Sequence, residues 1–141
     1  MKIRQTAALS LTAAAALVLS ACSTSAPTAE IGDCMDYAGL TGEVSELPTV
    51  DCTEAHDAQV FHKFDLPDGD FPTETEYVAA LEAECLPAFE SFVGINYEES
   101  SLFISDLSPQ EEGWDAGDRE TICIAYTEDG DVTESFEGSN L

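Results

Sequence analysis

Basic residues are scarce in this chain of 141 residues, which has 4 Lys and Arg against 29 Asp and Glu. Lys2 and Arg4 lie at the N-terminus, and only Lys63 and Arg119 follow. Because nucleic-acid binding needs clustered Lys and Arg to neutralise phosphates, this composition excludes nucleic acid as a partner. The charge also disfavours anionic lipid headgroups, whereas cations, basic peptides or a basic protein face remain compatible with it.

Motifs of common enzyme classes are also missing. The chain has no G-x-S-x-G, no phosphate-binding Gly-rich loop and no H-E-x-x-H. Carboxylate pairs of the glycosidase type are uninformative here, because 29 acidic residues always offer some pair. We therefore expect a protein that is not an enzyme and uses no cofactor.

No apolar run reaches the ~20 residues that cross a bilayer as a helix. Residues 7–18 form an uncharged run of twelve residues that follows two basic residues and precedes the quartet Leu-Ser-Ala-Cys ending at Cys22. This order is typical of a secretory signal, and the quartet resembles the bacterial lipobox, whose cysteine is lipidated and becomes the new N-terminus. We predict a lipoprotein signal peptide over residues 1–21. The alternative is an ordinary signal peptide with a chance cysteine at its end.

Lipidation of Cys22 would hold the protein at the cell membrane, on the extracytoplasmic side, without a spanning segment. A diacylglyceryl group brings two chains, and each buried CH₂ contributes about 0.8 kcal/mol. The lipidated cysteine and a polar tether occupy residues 22–30. The eight tether residues reach at most about 26–29 Å, so the folded domain stays close to the bilayer.

Residues 31–138 are predicted to form one domain, and residues 139–141 form a tail. We expect the final segment 136–141 to be frayed. Without the signal, the chain has 120 residues and a formal charge of 2 − 29 = −27, which by itself would favour disorder. However, all twelve aromatic residues follow Cys22, and they recur in periodic positions. The charge has a simpler explanation in the solubility of an exported protein.

Four cysteines follow Cys22, in a compartment that permits disulfides. Four cysteines allow three pairings, and we predict Cys34–Cys52 and Cys85–Cys123. The chain-entropy relation gives about 3 kcal/mol for the shorter loop and about 4 kcal/mol for the longer one. A redox pair or metal site is the alternative, disfavoured by wide spacings and the absence of C-x-x-C.

The strongest helix pattern lies between Thr73 and Gly94. Thr73 and Glu76 match a capping box, Gly94 provides a C-terminal stop, and apolar residues including Cys85 recur at three and four. Pro87 predicts a kink or break near residues 85–86.

The remaining patterns predict strands, and the sum is an α+β fold. Alternation over 58–66 predicts a strand with Val60, His62 and Phe64 on one side. Further strands are expected near 31–37, 47–52 and 101–107, and residues 119–135 read as a hairpin that turns at 129–130. We expect a small antiparallel sheet of four to six strands with one main helix packed on one face.

Few residues suggest chemistry. His56 and His62 could belong to a zinc site or act as a base, but a histidine on an apolar strand face is more often packed. Aspartates cluster around glycine at Asp65, Asp68, Asp70, Asp129 and Asp131, without the EF-hand spacing of a calcium site.

Arg119 is the last arginine in a very acidic chain. We predict a bidentate ion pair with a carboxylate near Asp118 or on the strand opposite, which would be structural and would fix the turn before Cys123. The alternative is a contact for a carboxylate-bearing ligand. Trp114 is expected to cover this turn.

Several segments together resemble the bacterial septum formation family. They are IGDC at 31–34, VDC and AHDAQVF within 50–61, PDGDFP at 67–72, the helix with Cys85, FVGINY at 92–97 and W-x-x-G-D-R-x-x-x-C at 114–123. The likeness covers about 31–138. Where the family has a proline before the histidine and a glutamate at the next strand, this chain has Ala55 and Gln59. The resemblance implies an envelope protein connected with division and implies no catalytic residues.

Two functions are compatible with these observations. The first is a lipid-anchored, non-enzymatic binding module that contacts an envelope or cell-wall protein. The second is a cation- or solute-binding lipoprotein that serves a transporter or sensor, which the small size and single domain disfavour.

Overall fold

The computed structural model describes residues 28–40 and 47–141. The predicted signal peptide, Cys22 and most of the tether therefore lie outside the described residues. Within the described ranges, no helix combines the length and apolar character needed to cross a bilayer.

Five strands form one antiparallel sheet in the order β2-β1-β3-β5-β4. The elements in chain order are β1 Cys34–Met35, β2 Thr49–Val50, β3 Ala58–Asp65, α1 Glu74–Val93, β4 Phe103–Leu107, α2 Glu111–Asp115 and β5 Glu120–Tyr126. Short 3-10 turns occupy Tyr37–Leu40 and Tyr97–Glu99. The predicted α+β class, with one main helix on the sheet, is confirmed.

Two apolar clusters cover the two faces of the sheet, because successive residues of β5 point to opposite sides. Cys123 and Ala125 face a cluster that contains Phe89 and Val93 of α1. Ile122 and Ile124 face the second cluster. Its other buried members are Ala29, Met35, Ala58 and Val60.

Both predicted disulfides are present. Cys85 of α1 joins Cys123 of β5 across 38 positions, and Cys34 of β1 joins Cys52 across 18. Cys85 and Cys123 are 2% and 0% exposed, so their bond lies within the helix–sheet cluster. It therefore ties the helix to the sheet at the centre of the core.

Helix α1 follows the sequence pattern, with one correction. Thr73 and Glu76 form the predicted capping box, and Gly94 ends the helix in the left-handed conformation with φ of 92°. The predicted break before Pro87 is wrong, since α1 runs through it without interruption. Cys85 and Phe89 are buried on either side of Pro87, and this packing holds the turn whose backbone hydrogen bond the proline cannot donate.

The capping box gives a testable stability contribution. Thr73→Ala should lower the free energy of unfolding by about 0.5–2 kcal/mol, because the helix loses its N-terminal acceptor. The Thr73 side chain and backbone N–H also hold the pKa of Glu76 below its ordinary value. A depressed carboxyl pKa stabilises the fold above the unfolded value, and this part is lost as pH falls through the folded value.

The effect of Thr73→Ala should therefore shrink as urea titrations move from neutral to acid pH. Exposed Thr75→Ala in the same turn is the matched control and should leave stability nearly unchanged. An equal loss for both variants would contradict a capping role.

The predicted faces of β3 are correct for Val60 and Phe61 and wrong from His62 onward. The pairing with β5 shifts register between Val60 and His62, which leaves Phe61 as an extra residue. Phe61 and Phe64 both pack with the α1 cluster, whereas Val60 packs with the other one. The bulge therefore exchanges the faces of all later residues.

The predicted hairpin after β5 is also absent. Val132 forms a bridge with His56 instead, with backbone N···O distances of 3.0 and 2.7 Å. The final segment packs on the domain where we predict fraying. Phe136 is fully buried, and the Asn140 N–H donates to the Val93 carbonyl at 2.9 Å, at the end of α1.

Candidate binding site

A hollow of about 500 Å³ lies between the turn after β3, the first turns of α1, and α2. We call it the Trp114 hollow. Its lining consists of Leu66, Pro67, Asp68, Gly69, Asp70, Phe71, Pro72, Thr73, Glu76, Ala80 and Trp114. This volume lies within the range of about 300–1,000 Å³ that is typical of ligand pockets.

The turn that forms one wall is held at both ends. Leu66 is buried, and its N–H donates to the Arg119 carbonyl at 2.9 Å, which extends the pairing of β3 with β5. Gly69 then has φ of 151°, a conformation that residues with a side chain rarely adopt. Pro72 and the Thr73 cap lead into α1. The wall is thus part of the ordered frame.

Trp114 forms the floor of the hollow and is only 5% exposed. Its indole Nε1 donates to the Gly69 carbonyl at 3.1 Å, so the ring also fixes the turn above it. Phe71 meets the indole edge-to-face at 5.7 Å between ring centroids. Phe71 remains 44% exposed, which leaves an aromatic surface open at the rim.

The Arg119 guanidinium stacks on the Trp114 indole ring. Its guanidinium carbon lies 3.7 Å from the Trp114 ring centroid. Nη1 donates to the carbonyls of Trp114 and Asp118 at 2.9 and 2.7 Å, and Nε lies 3.3 Å from Asp68 Oδ1. Because the guanidinium is committed to the protein itself, these contacts favour the structural role.

The carboxylate partner of Arg119 differs in detail from the prediction. Asp68 lies in the turn after β3, the strand that pairs with β5, and not beside Asp118. The contact is a single close approach in which Nε makes no hydrogen bond, not a bidentate pair. Asp68 itself is 97% exposed, so this surface ion pair adds little stability.

The Trp114 hollow is acidic. Asp68, Asp70 and Glu76 line it, and Arg119 is the one cation in contact with these residues within the described part of the chain. Hydrogen bonds from the Thr73 side chain and backbone N–H lower the pKa of Glu76 and so favour its ionised form. An apolar floor with a rim of carboxylates suits a ligand with an aliphatic stem and a cationic end, such as a Lys or Arg side chain.

The two histidines have different surroundings and different partners. His62 Nε2 is 3.6 Å from Glu84 of α1 on the surface of the domain. His56 is fully buried, and its Nδ1 bonds the Glu54 carbonyl at 2.8 Å. Neither lines the Trp114 hollow, so the structure does not combine them with the acidic turn.

The aspartate clusters do not gather into a multidentate group. Among residues 28–40 and 47–141, the set of three metal-ligating side chains that converge is Cys34, Cys52 and His56, and it includes no carboxylate. Both cysteines of this set are joined in a disulfide, so their sulfurs do not act as thiolate ligands in the described state.

The sequence patterns did not predict the role of Gln59, which joins three segments of the chain through hydrogen bonds. Its amide is buried and donates to the carbonyl of Gly32 and to Ser135 Oγ, both at 2.9 Å, while its Oε1 accepts from the Phe136 N–H. A glutamine supplies both donor and acceptor here, which a glutamate carboxylate does not. A polar residue within an apolar strand pattern was the available signal.

Comparison with known proteins gives one family match. The model of the family described as septum formation matches residues 19–123, well over half of the chain. No curated protein matches, and no solved structure matches.

Proposed function

Because this chain belongs to the septum formation family, we propose that it is a lipid-anchored binding module on the extracytoplasmic side of the cell membrane, without catalytic activity. Its task is to hold a protein partner of the envelope or cell wall near the septum. The Trp114 hollow is the surface that takes this partner.

The carrying observation is the combination of an apolar floor and an acidic rim in one preformed hollow. Trp114 and Leu66 are each 5% exposed, so the floor exists before any ligand arrives. Phe71 is the exposed anchor beside it. Aromatic side chains that become buried in an interface often carry a large share of its binding free energy.

The negative charge of the chain favours a basic partner. The chain beyond the predicted signal has a formal charge of −27, as given above, and only Lys63 and Arg119 oppose it. A basic segment would be attracted to this field at long range, and its Lys or Arg side chains would be held at short range by Asp70 and Glu76. An acidic partner would be repelled.

The anchor belongs to the same proposal. Lipidation of Cys22, with a tether of eight residues that reaches at most about 26–29 Å, would keep the folded domain close to the membrane surface. A partner would then be met at an effective concentration set by this short tether, which strengthens weak contacts.

Cys22→Ser should release the protein from the membrane fraction into the soluble fraction, because the sulfur that receives the lipid is lost. The measurement is fractionation of cells followed by immunoblotting. Ser25→Ala, in the predicted tether, is the matched control and should stay with the membrane. Retention of Cys22→Ser in the membrane would contradict the anchor.

The partner is tested by crosslinking in living cells and capture of the protein, followed by mass spectrometry. The comparison is a control domain carrying the same Cys22 anchor. Enrichment of division or wall-synthesis proteins over that control would support the proposal, provided that Asp70→Asn reduces it and exposed Asp129→Asn does not. Recovery of a transporter would favour the solute-binding alternative, and unspecific recovery would contradict both.

A further inference from the structure

Three metal-ligating side chains meet near the start of β3, whereas the Trp114 hollow follows the end of that strand. The sulfurs of Cys34 and Cys52 and a ring nitrogen of His56 all lie within 4.8 Å of one another. Two thiolates and an imidazole are a common ligand set for zinc. In the described state the sulfurs are bonded to each other and not available.

His56 is already arranged as a metal-binding histidine. Its side chain is 0% exposed, and Nδ1 lies 2.8 Å from the Glu54 carbonyl. A carbonyl only accepts, so Nδ1 carries the proton and the neutral ring has its lone pair on Nε2. Nε2 is buried without a hydrogen-bond partner. Ligating histidines commonly donate their other ring N–H to a backbone carbonyl in this way.

The Cys34–Cys52 bond is also the more accessible of the two disulfides. Cys34, Cys85 and Cys123 are all buried, whereas Cys52 is partly exposed. Disulfides open when an external thiolate attacks one sulfur, so access to that sulfur limits the rate. Attack is therefore directed to Cys52, with the Cys34 thiolate as the leaving group.

We propose that reduction of Cys34–Cys52 creates a zinc site formed by Cys34, Cys52 and His56. An external dithiol supplies two electrons and two protons, its own sulfurs form a disulfide, and the protein bond becomes two thiols. Zn²⁺ then displaces the two thiol protons and binds both sulfurs and Nε2. A water molecule, reaching the site from the exposed side of Cys52, completes four ligands.

The geometry requires only local movement. Zinc holds sulfur at about 2.3 Å and nitrogen at about 2.0–2.1 Å, so tetrahedral ligands stand within about 4 Å of one another. The cysteine Cα atoms are 5.3 Å apart, and the two sulfurs and a ring nitrogen of His56 already lie within 4.8 Å of one another. Thiolate ligands select a soft cation such as Zn²⁺ over Ca²⁺ or Mg²⁺.

The test is metal binding by the whole purified protein before and after mild reduction with dithiothreitol. Zinc retained after gel filtration should rise from none to one equivalent per chain. Co²⁺ as a probe should give the absorption bands of tetrahedral thiolate coordination. Bound zinc should protect Cys34 and Cys52 from alkylation, whereas Cys85 and Cys123 stay joined and are not alkylated with or without zinc.

Variants separate this site from general thiol binding. His56→Gln should weaken zinc binding by at least about 100-fold, beyond the 10–100-fold typical of outer-sphere changes, whereas His62→Gln should not. The oxidised His56→Gln protein is first checked for native circular dichroism. If it is not folded, loss of the Co²⁺ bands in Cys34→Ala/Cys52→Ala serves instead. No zinc uptake on reduction, or zinc uptake that leaves Cys34 and Cys52 open to alkylation, would overturn the proposal.

Discussion

Replacing Cys85 and Cys123 together by alanine is expected to lower the free energy of unfolding by about 4 kcal/mol. The bond closes a loop of 38 positions, and the chain-entropy relation gives this value for a loop of that length. Both residues are nearly fully buried in the α1 cluster, so alanine avoids the buried hydroxyl groups that serine would introduce. The melting temperature should fall by about 4–8 °C per kcal/mol.

The matched control is the other disulfide. Alanine at Cys34 and Cys52 should cost about 3 kcal/mol, because that loop spans only 18 positions. Urea unfolding followed by circular dichroism measures both variants. A smaller loss for the Cys85–Cys123 variant than for the Cys34–Cys52 variant would contradict the view that this bond ties the helix to the sheet at the centre of the core.

Trp114→Ala is expected to cost about 3–5 kcal/mol of stability, the range for deleting a large buried aromatic side chain. The change would remove the floor of the hollow, the hydrogen bond to the Gly69 carbonyl and the surface on which Arg119 rests. The turn of residues 66–72 would then lose its main contact with α2. Chemical unfolding is the measurement.

Trp114→Phe separates packing from polar contacts. Phenylalanine keeps an aromatic floor but has no N–H for Gly69, so the expected loss is only about 1–2 kcal/mol. Phe71→Ser should lower stability less than Trp114→Ala does, because the Phe71 ring is 44% exposed and loses mainly its edge-to-face contact with the indole, while it removes the anchor of the proposed interface. Equal losses for Trp114→Ala and Trp114→Phe would contradict the role of the indole as a packed floor.

Local sequence patterns identified the parts of the fold that depend on local physics. The helix was evident because its capping residues, apolar spacing and terminal glycine all lie within one segment. The predicted disulfide pairing, one of three that four cysteines allow, is confirmed.

The wrong predictions for β3, the hairpin and the C-terminal tail share one physical cause. In each case tertiary contacts selected a conformation that the local sequence does not specify. A bulge at Phe61 moved later side chains of β3 to the other face, and no local signal marks where such a residue is inserted. Val132 matched a hairpin but paired with His56, 76 positions away. Phe136 was buried by contacts with Gln59 and the α1 cluster, which only the assembled sheet offers.

The sequence indicates the two segments that form the Trp114 hollow but not the contact between them. The acidic turn at 67–72 and the W-x-x-G-D-R segment each form a local pattern, but 45 positions separate Gly69 from Trp114. Their meeting depends on the pairing of β3 with β5, which brings Leu66 against Arg119. Residues joined through a sheet in this way share no local pattern, so the hollow emerged only from the fold.

A photo-crosslinking amino acid at position 71 tests directly whether the Trp114 hollow binds a basic segment of an envelope protein. In living cells, we expect a discrete crosslinked species whose attached peptide, identified by mass spectrometry, contains Lys or Arg. Asp68→Asn/Asp70→Asn should abolish it, and the same photo-crosslinker at exposed position 129 should give none. Crosslinks that persist in the double variant, or that form equally from position 129, would contradict the account.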